Sequence, residues 1–349
     1  MGKYLKMQAQ KILNNPKFSS VTNLFSPFYS GIGSVVMFHR IVQREEDIIL
    51  GDMEVTAAHL EKTIRYFLDN NYDIISIEKA YAVISGKEKA DRKFAVFTFD
   101  DGYKDNYTIA YPIFKKHNVP FTIYVSTCYP DKTALIWWYA LDELIRKVQT
   151  VDFQFEEKTY RYPAGTPGQE EDAFSALREL IMSLVVEQQN RLFTILFDGN
   201  GIDMRKFSNS MTMDWDDIKV LSQSELVTIG AHTSNHPNLK NLDEESMRKE
   251  MMDSKRDIES HIGQAVEHFA FPFGSDNEAG IREFRIAEQL GFKTSTTTRC
   301  GNIFPSHARH SNCLPRISPS PALLDTFPHI YTSGVIPALT QKFKRVVTE

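Results

Sequence analysis

The sequence predicts an α/β fold, a distorted (β/α)7-8 barrel that carries an inserted segment of helices and loop. Short apolar, β-prone runs alternate with helix-like stretches, and near-continuous apolar strands separated by helices read as a parallel sheet covered on both faces. Side chains able to do chemistry stand at the C-terminal ends of several different runs, where barrel enzymes build their active sites. That placement favours a barrel over an open doubly wound sheet, a choice that periodicity alone leaves open.

The strand-like runs are 34–38, 72–77, 94–99, 121–126, 226–231, 267–273, 292–297 and 314–318, and the helical ones are 56–70, 107–116, 216–222, 244–262 and 279–290. The first run, Ser-Val-Val-Met-Phe, delivers the chain to His39. Thr56 is a fitting N-cap for the helix that follows. The run 94–99 ends on Asp100-Asp101-Gly102, good turn chemistry after a strand. The run 226–231 ends on His232, the helix 244–262 carries its apolar residues at helical spacing, and Arg316 lies in the last run.

From about 149 to 213 the alternation breaks. Pro163, Gly165, Pro167 and Gly168 precede an acidic start, Glu170-Glu171-Asp172, to a helical run through Val186, and the stretch ends near Gly199-Asn200-Gly201. It reads as an insertion, a loop plus two helices, that shapes substrate access. The expected division is therefore a helical N-terminal extension at 1–33, the barrel at 34–320 with the insertion at about 150–210, and a C-terminal extension at 321–349.

With 349 residues, 42% hydrophobic and 24% charged, the chain can build a large core. Its net charge of −5 and pI near 6.1 argue against a nucleic-acid partner. Cys128, Cys300 and Cys313 are too few and too scattered for a disulfide scaffold and form no zinc pattern, so they read as free thiols of a reducing compartment. No apolar run approaches the roughly 20 residues that span a bilayer. The N-terminus interleaves its lysines with polar residues, unlike a signal peptide, and a cytoplasmic location is expected. Leu5, Ile12 and Leu13 among Lys3, Lys6 and Lys11 form a weak amphipathic pattern that suggests peripheral contact with the inner membrane; a packed or frayed helix is the simpler reading. Oligomeric state is not legible.

Two clusters carry the chemistry. His232 and His236, four apart, can face one ion from a turn or tight loop, and Pro237 favours a loop over a helix interior. Asp100 and Asp101 are adjacent carboxylates that point in different directions, so one can bind a metal while the other takes a proton. Each cluster is weak alone, but together they form a two-His, one-carboxylate set with positions left for water, shared by zinc hydrolases and some iron enzymes. The chemistry it predicts is hydrolysis of an amide or ester by a metal-activated water.

The motifs TFDDG at 98–102, HTSNH at 232–236 and FAFPFG at 269–274 resemble those of the polysaccharide deacetylases of carbohydrate esterase family 4, with the NodB-homology domain. FHRI at 38–41 and LPRI at 314–317 resemble the branch of bacterial poly-N-acetylglucosamine deacetylases, in which the motif order is permuted. The likeness covers roughly 34–320. It implies that Asp101, His232 and His236 are metal ligands for a divalent ion, zinc first, with cobalt, nickel, manganese or iron as alternatives. It further implies that Asp100 is the general base, His39 the general acid, and the backbone N–H of Phe273 an oxyanion donor. Many members carry an arginine in the segment that here reads Phe269-Ala270-Phe271-Pro272-Phe273-Gly274; Arg316 is the substitute this chain offers to orient Asp100, a salt bridge to another carboxylate being the alternative.

The implied substrate is an N-acetylated saccharide of a bacterial surface glycan or its precursor. An O-acetyl esterase and a non-catalytic glycan-binding barrel are the rival readings. Trp137, Trp138 and Tyr139 could stack on a sugar face, although such clusters more often fill cores.

Overall fold

Strand β1 (Gly33–Phe38) is buried along its whole length and pairs in parallel with β2 (Phe94–Phe99), Gly33 opposite Phe94 through Phe38 opposite Phe99. The sheet continues in parallel through β3 (Phe121–Val125), β4 (Val227–Ala231), β5 (His268–Ala270), β6 (Thr294–Cys300) and β7 (Leu314–Arg316). One residue beyond β7 the circuit closes: Met37 donates its N–H to Ile317 O at 2.9 Å, and Ile317 donates to Val35 O at 2.8 Å. The result is a nearly closed, seven-stranded parallel barrel. This computed structural model describes residues 26–48, 53–318 and 327–346. The amphipathic pattern at Leu5, Ile12 and Leu13 lies outside them.

The eighth expected strand, 72–77, shrinks to Asp73–Ile74, which pairs with the start of β2. Its competitor is local. The Ser76 hydroxyl accepts the Lys79 N–H and caps a helix at Ile77–Ile84, so the last residue of the run starts a helix and the strand goes no further than Ile74.

Outside the strands lie helices α1 (Ala57–Asp69), capped by Thr56 as its sequence suggests, α2 (Tyr111–His117), α3 (Trp215–Ser222), α4 (Glu244–Ile262) and α5 (Ile281–Gln289). The period-two alternation of β2 divides its side chains between two cores. Ala95, Phe97 and Phe99 join the large cluster with Phe67 of α1 and Phe114 of α2, whereas Phe94 and Val96 pack with Val35 and Leu314. Thr98, next in that second series, is hydrogen-bonded by Arg316 of β7. Asp100 continues the series at the strand's end, so the alternation that builds the core also aims the carboxylate at Arg316.

Residues Lys132–Met211 form a compact unit of their own. An antiparallel hairpin, Thr150–Phe155 with Lys158–Pro163, joins helices Trp137–Lys147, Pro167–Ser183, Val186–Leu196 and Met204–Met211. This unit starts earlier and holds more regular structure than the loop and two helices read from sequence. Val151, Phe153 and Phe155 are buried, alternating with exposed Asp152 and Gln154, and they pack with Leu141, Leu144 and Leu177. Trp137 is buried in this core, Trp138 packs against it and Tyr139 is also buried, so the cluster fills the interior instead of offering faces to a sugar.

Candidate active site

The ends of β1, β2, β4 and β7 and the loop after β5 bring the chemically capable side chains together. Asp100 is buried and receives Arg316 at two points, Nη1 to Oδ1 at 2.7 Å and Nη2 to Oδ2 at 2.6 Å. Arg316, 1% exposed, is itself fixed by Nε donating to Thr297 O at 2.8 Å. Burial pushes the Asp100 carboxyl up, but the Arg316 guanidinium outweighs it, helped by His232 and His39, and the carboxyl is held below its ordinary value.

His39 follows β1 and sets its Nε2 4.0 Å from Asp100 Oδ2. Its backbone carbonyl accepts Asn106 Nδ2 at 2.8 Å. The next residue, Arg40, reaches Asp105 Oδ2 at 2.8 Å and Glu54 Oε1 at 2.7 Å, and Ile41 N–H donates to Asp105 Oδ1 at 2.9 Å. Burial lowers the His39 pKa against the opposing pull of Asp101 and Asp100.

Asp101 turns the other way, at a left-handed φ of 78°. Its Oδ1 lies 3.4 Å from His232 Nε2 and 3.2 Å from His236 Nε2, and one atom from each of the three residues lies within 4.8 Å of the others. His232 Nδ1 meets Ala270 O at 2.8 Å; a carbonyl can only accept, so Nδ1 carries the hydrogen and Nε2 of the neutral ring presents a lone pair to Asp101. Asp101 Oδ1 is buried and, among the described residues, has no hydrogen-bond partner. Two lone pairs facing each other call for a cation between them. A proton on the ring answers in part: burial pushes the His232 pKa down, yet Asp101 and Asp100 more than compensate and raise it. The same field suits a divalent ion, and two imidazoles and a carboxylate are a fitting donor set for zinc.

The second histidine is set by its loop. His236 N–H donates to Thr233 Oγ1 at 3.1 Å, and Ser126 Oγ donates to His232 O at 2.9 Å. From α4, Glu250 Oε2 accepts the N–H groups of Ser234 (3.1 Å) and Asn235 (2.9 Å), while Oε1 accepts Asn235 Nδ2 at 2.7 Å. Phe273 places its ring 4.9 Å from His236, and among the described residues its backbone N–H has no acceptor. Asp101, Thr233, His236 and Phe273 all adopt positive φ without being glycine, a costly conformation concentrated at these loops.

All seven residues singled out from sequence thus converge. Glu250, Arg40, Asp105, Glu54 and Asn106 were not singled out. Arg40 lies within the FHRI motif but was given no role there, Asp105 is signalled only by its closeness to Asp101, and an α4 glutamate such as Glu250 looks like any helix-surface charge.

The sequence profile of the polysaccharide deacetylase family matches residues 87–195 and again 187–295, together more than half of the chain. The chain belongs to the polysaccharide deacetylase family. The first match contains Asp100 and Asp101, the second His232, His236 and Phe273, and the two overlap within the 132–211 unit. Bacillus subtilis (strain 168) YxkH, a protein assigned provisionally to polysaccharide deacetylases, is 30% identical over 91 residues, a stretch that spans 26% of this chain and 30% of that relative.

Solved deacetylases share the fold. Streptococcus pyogenes deacetylase PplD, in complex with acetate, superposes with a TM-score of 0.55 at 20% identity, covering 84% of this chain and 97% of PplD. IcaB from Ammonifex degensii gives 0.54 at 16% identity over 87% of this chain and 97% of its own. A de-N-acetylase from Aggregatibacter actinomycetemcomitans gives 0.54 at 17% identity over 86% and 99% respectively.

Proposed function

We propose that this polysaccharide deacetylase family member removes the acetyl group from an N-acetylated sugar of a bacterial surface glycan or its precursor, with a divalent metal held by Asp101, His232 and His236. The observation that carries the reading is the division of the Asp100–Asp101 pair. Asp101 faces two imidazoles, and Asp100 faces a guanidinium. A divalent ion, zinc first, would supply Lewis acidity and lower the pKa of a coordinated water to about 7.

The protein's own groups do the rest. Asp100, kept ionised by Arg316, accepts the proton of the attacking water. The backbone N–H of Phe273 is a donor for the carbonyl oxygen as it gains charge, a contact worth about 100- to 1000-fold in rate in comparable sites. His39, close to the same carboxylate, delivers a proton to the nitrogen as the C–N bond breaks, releasing acetate and a free amine. Acetate release from N-acetylglucosamine oligomers, lost on chelation and restored by zinc or cobalt, is the expected result. No acetate from any N- or O-acetylated sugar would overturn the proposal.

A further inference from the structure

The two ends of the chain share an unusual charge character. Residues 1–39 hold Lys3, Lys6, Lys11 and Lys17 and no aspartate or glutamate, and residues 327–348 hold Lys342, Lys344 and Arg345 with no acid between the flanking Asp325 and Glu349, in a chain of net charge −5. The structure brings the described parts of these ends together. The Tyr29 and Phe343 rings meet edge to face at 6.1 Å, and the Arg345 guanidinium lies 5.7 Å from the Tyr29 centroid. Asn302 Nδ2 donates to both Tyr29 O (3.1 Å) and Tyr331 O (2.9 Å). Gly334, at φ 83°, sits so close that a Cβ there would lie 2.2 Å from Tyr29 O.

Phe28, Leu339 and Phe343 are 56%, 55% and 54% exposed, three of the eight exposed large apolar side chains among the described residues. Lys342, Lys344 and Arg345 are exposed beside Leu339 and Phe343 along the chain.

We propose that this joined pair of ends docks the protein on an anionic lipid surface. Apolar side chains that enter the headgroup boundary, accompanied by cations with no acid among them, are the chemistry of peripheral membrane contact. A protein partner fits less well, because lysine is depleted at such interfaces. The overall negative charge opposes a nucleic acid. The inference does not rest on the deacetylase reading, although it would hold the barrel beside lipid-linked glycans.

The test is co-sedimentation of the full chain with phosphatidylcholine vesicles, with and without phosphatidylglycerol, at low and high salt. Binding should require phosphatidylglycerol and weaken with salt. The triple variant Lys342→Gln, Lys344→Gln, Arg345→Gln should bind about 100-fold more weakly, at about fivefold for each cation near the surface. A second variant, Phe28→Ser, Leu339→Ser, Phe343→Ser, should lose affinity while keeping its salt dependence, and circular dichroism checks that both fold. Three results would overturn the proposal: no sedimentation of the wild type at low salt, wild-type binding by both variants, or binding to soluble heparin with none to vesicles.

Discussion

Arg316 grips both carboxylate oxygens of Asp100 although 216 residues separate them in sequence. Both are buried, and a buried ion pair stabilises little when intact but costs much when one partner is lost. Arg316→Met should therefore destabilise the protein by about 3–5 kcal/mol. It should also raise the Asp100 pKa, so the acid limb of the kcat/KM profile moves to higher pH. Arg316→Lys keeps the charge but not the two-point contact, and should fall between the two. Urea melts and pH–rate profiles check this; a Met variant with wild-type stability and profile would refute the role given to the pair.

One divalent ion per chain is expected at Asp101, His232 and His236. Adding zinc or cobalt at about 100 times its Kd should stabilise the fold by about 2.7 kcal/mol. His236→Ala should lose both the bound ion and the thermal shift. Metal analysis and melting curves read this directly, and an unchanged metal content in that variant would show that the ion binds elsewhere.

His39→Gln should lower kcat by about 100- to 10,000-fold while leaving metal content as in the wild type. Because burial holds the imidazole below its ordinary value, its protonated form gives up a proton more readily than a free imidazolium, as delivery to a leaving nitrogen requires. Near-normal turnover in a folded, metal-loaded variant would remove His39 from the reaction.

Glu250 touches neither substrate nor metal in this account and acts by holding the Ser234–Asn235 backbone between the two histidines. Glu250→Ala should weaken metal affinity by about 10- to 100-fold. Glu250→Gln, which keeps an acceptor oxygen, should recover part of it. Competition titration with a chromogenic chelator measures the affinity; an unchanged value in the Ala variant would make the clamp merely structural.

Burial raises the Asp105 pKa from 3.8 to about 6, with Glu54 adding to the rise and Arg40 opposing it. Between those values the folded chain binds more protons than the unfolded one, so the contribution of Asp105 to stability falls as pH rises through about 4 to 6. Asp105→Asn mimics the protonated form and should gain on the wild type by up to about 3 kcal/mol between pH 4 and pH 7. Chemical denaturation at both pH values tests the sign; a difference that does not vary with pH would contradict it.

Much of this was legible in the sequence because barrel strands end where apolar runs meet polar residues: Phe38 before His39, Phe99 before Asp100, Ala231 before His232. The run 72–77 misled because its strand stops at Ile74 and a single serine, Ser76, caps a helix that takes over from Ile77. The insertion's start was missed because the apolar residues of Trp137–Lys147 would suit a barrel helix equally well, and periodicity does not say which core a helix joins. The strained φ angles of Asp101, Thr233, His236 and Phe273 left no mark in composition, because none of these positions is glycine. The Arg316–Asp100 contact emerged from resemblance alone, since a contact closing a barrel has no local signature.

The division of labour between Asp100 and Asp101 is the centre of the account, and acetate release paired with metal analysis for the wild type, Asp100→Asn and Asp101→Asn tests it most directly. Asp100→Asn should keep its metal and lose turnover, whereas Asp101→Asn should lose both. If Asp100→Asn lost the metal while Asp101→Asn retained it, or if either variant released acetate at the wild-type rate, the assignment of base and ligand would be wrong.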